Sequence, residues 1–99
     1  MNTASDETFE REMGCTVHEW LRWLPMAVGS HRWTQTNDGA QVEIGAGRLT
    51  LAWQSLPPRA IAQLRLPRLW VRFRFEGVVG REREAFMRHF DLIMRRGGG

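Results

Sequence analysis

Two groups of residues have types and spacing that could do chemistry. Cys15 and His18 stand three apart, so a helix would put them on one face. A thiol beside an imidazole is the pairing of a cysteine nucleophile with its base. With His31 the same pair would also offer three ligands of the kinds that zinc takes. Each idea stops there. No second Cys–His cluster exists in the sequence, and no motif supplies the orienting group or the oxyanion donors an acyl-transfer site needs. No metal and no cofactor are therefore expected. An enzyme built on Cys15 and His18 ranks behind two binding readings.

The second group is a row of arginines with an indole. Leu69, Val71, Phe73 and Phe75 alternate with Trp70, Arg72 and Arg74, the period of a strand with one buried face. Arg48–Gln54 alternates in the same sense, turning Leu49, Leu51 and Trp53 inward. The outward face then shows Glu43, Arg48, Thr50, Gln54, Trp70, Arg72, Arg74 and Glu76. Arginine neutralises phosphates and an exposed indole stacks on bases, so this face suits single-stranded nucleic acid. The same residues also read as cross-strand ion pairs on a solvated face, or as the surface on which a second copy or another protein pairs. Trp23 adds to the last reading. It lies about 120° from the centre of its helix's apolar stripe, and an outlying Trp suits an interface.

Composition narrows the classes. The basic residues are all Arg, which points to a GC-rich, bacterial coding genome, and the formal net charge is +3. Without lysine there is no Schiff-base or P-loop lysine. Gly45-Ala46-Gly47 precedes a strand, so it is a hairpin turn and no phosphate loop. One cysteine allows no intrachain disulfide. With no signal-peptide pattern and no long apolar run, the expectation is a cytoplasmic protein with no membrane partner. Charge is uneven: Asp6, Glu7, Glu10, Glu12 and Glu19 stand against Arg11 alone, while no acid falls between Glu43 and Glu76. Either the basic half faces an anion, or the acidic N-terminal segment lies against it, within the chain or between copies.

The elements that would position these residues follow from period and punctuation. Thr16-Val17-His18-Glu19 fits a capping box, and Val17, Trp20, Leu21 and Leu24 follow helical spacing. Phe9 and Met13 continue that stripe backwards, so the helix could begin near Asp6. Pro25 is expected to end or kink it. Arg32–Thr36, Ala40–Ile44 and Arg48–Gln54 read as a three-stranded meander. Leu56-Pro57-Pro58 is expected to break the sheet, residues 59–66 are ambiguous, and Leu69–Phe75 is the last strand. Glu82–Met94 is a second helix with Phe86, His89, Phe90, Ile93 and Met94 on one face. His89 there is expected to bond a backbone carbonyl.

The predicted fold is α+β: an antiparallel sheet of about four strands with both helices on one face, in the order α-β-β-β-β-α. Residues 1–14 form an acidic lead-in, mobile or partly helical, residues 15–96 a single domain, and residues 97–99 a flexible glycine tail. The expected function is a small non-enzymatic interaction domain that self-associates. Single-stranded nucleic-acid binding through Trp70, Arg72, Arg74 and Arg48 is the alternative.

Overall fold

A computed structural model describes residues 6–96; the glycine tail and the first five residues of the lead-in lie outside them. The order of elements is β1 (Glu7–Met13), α1 (Val17–Val28), β2 (Trp33–Gln35), β3 (Gly39–Ile44), β4 (Gly47–Ile61), β5 (Leu64–Glu76) and α2 (Gly80–Arg96). The five strands make one antiparallel sheet in the order β1-β5-β4-β3-β2. The α+β class and the one-sided helical layer stand, with five strands where about four were expected.

The additional strand is the lead-in. Glu7–Met13 pairs with β5, Phe9 opposite Phe73 and Met13 opposite Leu69. Phe9 and Met13 therefore belong to a strand face and not to a backward extension of the helical stripe. Their spacing of four satisfies a helix face and a strand face alike. Tertiary contact decides: Phe9 stacks on Phe73 at 4.8 Å between ring centroids. Arg11 shares that inward face, with its guanidinium 5.4 Å from the rings of both Phe9 and Phe73. It reaches out to the Asp91 carboxylate of α2, so its stem lies on apolar surface while its charge finds a partner.

Helix α1 starts where the capping box places it. The Glu19 amide donates to the Thr16 hydroxyl at 3.1 Å and the Thr16 amide to the Glu19 carboxylate at 2.9 Å. Of the two outcomes expected at Pro25, an end is not what occurs: the helix runs on to Val28 and is capped at Gly29. Proline removes one helical hydrogen bond, and burial of Leu24, Ala27 and Val28 holds the last turn against that loss. The core lies between sheet and helices. Trp20 meets Trp53 and Phe90, Phe73 meets Phe90, and Phe75 meets Phe86.

The largest departure is at Pro57-Pro58. The sheet does not break there. β4 and β5 continue as a two-stranded arm past a bulge, with Leu56 opposite Arg68 and Arg59 opposite Leu66. Pro57 and Pro58 thus face Pro67 alone, at the one place where missing N–H groups cost no ladder bond. Residues 59–66 form the tip, closed by the two-residue turn Ala62–Gln63 between Ile61 and Leu64. Ala62 has a φ of +53°, the left-handed conformation that such a turn demands. The arm stretches the molecule to 53 Å against 24 and 21 Å in the other directions.

Candidate interaction surfaces

Strand register brings Arg48, Trp70, Arg72 and Arg74 onto the sheet face opposite the helices, as their alternation predicts. Arg48 lies opposite Glu76, Thr50 opposite Arg74 and Gln54 opposite Trp70. Trp23 does not join them. It is half-buried on α1 and packs against the core from the helical side.

β1 changes the character of this face. It sets Glu10 opposite Arg72 and Glu12 opposite Trp70. The Trp70 indole donates to Glu10 at 2.9 Å, and the Arg72 guanidinium lies 5.9 Å from the indole ring. Arg68 donates to Glu12 at 2.7 Å, and Arg59 reaches Glu12 at 3.6 Å. The hydrogen bond from Arg68, helped by the nearby charges of Arg68 and Arg59, holds the Glu12 carboxyl below its ordinary pKa. Arg74 pairs with Glu76 at 3.6 Å. Among the described residues, Arg48 and Arg72 have no ion pair. The acidic segment thus lies against the basic half of its own chain, one of the two arrangements its charge allowed.

Cys15 and His18 are not brought together as a catalytic pair. Cys15 precedes the N-cap Thr16 and so is off the helix; it is fully buried, while His18 is exposed. Burial, reinforced by the Glu19 charge, pushes the Cys15 thiol up to about 11, opposite to the lowered value that makes a cysteine nucleophilic. His31 bonds the Val28 carbonyl at 2.9 Å through Nδ1. Among the described residues no group of three or more His, Cys, Asp or Glu side chains could hold a metal.

The arm is the feature that sequence reading missed. β3 flanks β4 only as far as Ala52, and β1 flanks β5 only as far as Leu69. Beyond those residues, among the described residues, the hairpin has no strand on either side. Its tip exposes Leu64 by 64%, Ile61 by 50% and Leu66 by 43%, and it carries Arg59, Arg65 and Arg68 with no acid. An isolated two-stranded ribbon is only marginally stable in water, and bare edges invite pairing. The alternation through Ile61, Leu64 and Leu66 was the available signal. The prolines and the absence of glycine at Ala62–Gln63 concealed it.

Searches for a matching protein-family model, curated protein or solved structure return no match. Among the described residues no helix is long and apolar enough to cross a membrane.

Proposed function

We propose that this chain is a non-enzymatic interaction domain that pairs with a second copy of itself through the β4–β5 arm. The observation that carries the reading is a bare basic arm beside a bare acidic edge. β1 ends at Met13, where the arm begins, so the edge of β5 over Leu64–Arg68 is unpaired among the described residues. β1 is itself an edge strand, and among the described residues its outer side is unpaired too. A two-fold axis normal to the sheet near Met13 lays each copy's β1 along the other's arm. Because β1 and β5 run antiparallel within one chain, the pairing between copies is parallel.

Charge complements geometry. Glu10 and Glu12 of one copy come beside Arg59, Arg65 and Arg68 of the other, extending the Glu12–Arg68 contact already present at the arm's base. Edge pairing also takes the flanks of Leu64 and Leu66 out of water. The two contacts are equivalent, so the assembly closes as a dimer.

Sedimentation equilibrium over a wide concentration range tests this. The expected result is a dimer for the natural chain and a monomer for Arg65→Glu/Leu66→Glu, with the body's melting temperature unchanged. A natural chain that stays monomeric at the highest concentrations overturns the proposal.

A second reading is single-stranded nucleic-acid binding, supported by the unpaired Arg48 and Arg72 beside the half-exposed Trp70. Glu10, Glu12, Glu43 and Glu76 are interleaved on that face and repel phosphate. This reading requires binding that weakens steeply with salt and is lost in Arg72→Glu. Salt-independent or absent binding removes it.

A further inference from the structure

At the end of the sheet away from the arm lies a cleft of about 330 Å³ between the last turn of α1, the β3–β4 turn and the first turns of α2. Its floor is apolar, with Val28, Ile44 and Phe86. Its polar groups are His31, His89, Ser30 and Glu82, and the first two share one property. His31 Nδ1 and His89 Nε2 each lie 2.9 Å from a backbone carbonyl, of Val28 and Met26 respectively. A carbonyl only accepts, so each of those nitrogens carries the hydrogen.

Glu82 is the decisive group. Its carboxylate is half-buried and, among the described residues, has neither a hydrogen bond nor an ion pair. It lies over Gly45, where an added Cβ would come within 2.6 Å of both carboxylate oxygens. The negative end of α1 abuts the same cleft, and its last turn has no basic residue. A half-buried anion and a helix C-terminus both select positive charge. Phe86 and Ile44 select an apolar body.

We propose that this cleft binds a small organic cation, an amidinium or ammonium group carried on a flat apolar body. The cation meets Glu82, and the body lies against Phe86. The volume is at the low end for ligand sites, which limits the ligand to about one ring. The cleft stands apart from the arm, and its occupancy does not depend on the chain's oligomeric state.

Amide-shift NMR titrations with benzamidine, beside benzoate as the anion of matching shape, test the proposal. The expected result is saturable shifts at Gly29, Gly45 and Phe86 with benzamidine and none with benzoate. Glu82→Gln should weaken benzamidine binding about tenfold, since it removes the charge and leaves the shape. Ala85→Trp, at an exposed cleft position, should block entry while the rest of the spectrum stays folded. Equal binding of benzoate, benzamidine binding untouched by Glu82→Gln, or no saturable binding of benzamidine would each overturn it.

Discussion

Replacing Trp20 by Phe should leave stability almost unchanged, although Trp20 is at the centre of the core. The side chain is fully buried and touches the rings of Trp53 and Phe90. Losing the fused ring leaves a hole of about 40 Å³, which at roughly 24 cal/mol per Å³ costs about 1 kcal/mol if nothing relaxes. The lost transfer energy is roughly that of one methylene, about 0.8 kcal/mol. Against these stands the indole N–H, which is buried with no hydrogen-bond partner among the described residues. Burying such a donor costs about 1–3 kcal/mol, and phenylalanine has none. The terms cancel to within about 1 kcal/mol. Urea unfolding of natural chain and variant measures the difference, with Phe90→Ala as a reference expected to lose 3–5 kcal/mol by ordinary core truncation, roughly as such changes do elsewhere. A loss above about 3 kcal/mol in Trp20→Phe, at unchanged m, would show that the indole N–H is satisfied and that the cancellation is false.

Four further outcomes are expected. Cys15 should resist alkylation in the native state at pH 8 and react on unfolding; fast native labelling would contradict its burial. Its folded pKa of about 11 exceeds its ordinary 9.0, so the unfolded chain loses the proton first, and thermal stability should fall as pH rises from about 9 towards 11. Gly47→Ala sets a Cβ 2.4 Å from the Gly77 carbonyl and 2.6 Å from that of Glu76. Backbone must move, so a loss of about 3 kcal/mol is expected in a melting experiment, and a neutral result would refute the close approach. Ala62→Asn should relieve the left-handed strain at the arm's turn by roughly 0.5–1 kcal/mol, slowing amide exchange at the tip by about two- to fivefold. Faster exchange there would contradict the turn geometry.

Much of the fold was legible because short-range rules fixed it. Thr16 and Glu19 satisfy each other's backbone amides within one turn, so the helix start needed no tertiary partner. Leu69–Phe75 alternates so cleanly that its two faces could be assigned residue by residue. β1 was illegible because Phe9 and Met13 suit a helix stripe and a strand face equally. Only the ring of Phe73 across the sheet separates the two. Pro57-Pro58 misled for a related reason: proline forbids a ladder bond, and whether a bond is needed there depends on where the bulge falls.

The surfaces divide the same way. From sequence alone came the class, the all-arginine charge, the exclusion of lysine chemistry, and the outward row of Arg48, Trp70, Arg72 and Arg74. Tertiary structure decided what faces that row, because Glu10 and Glu12 lie some sixty residues from their partners Trp70 and Arg68. It alone lifted Ile61, Leu64 and Leu66 away from the body, and it alone set Glu82 over Gly45 with no partner among the described residues. Period and capping act within a turn or a strand, so sequence records them. Which strand stops short of its neighbour, and which charge is left unpaired, depend on residues distant in the chain meeting in space.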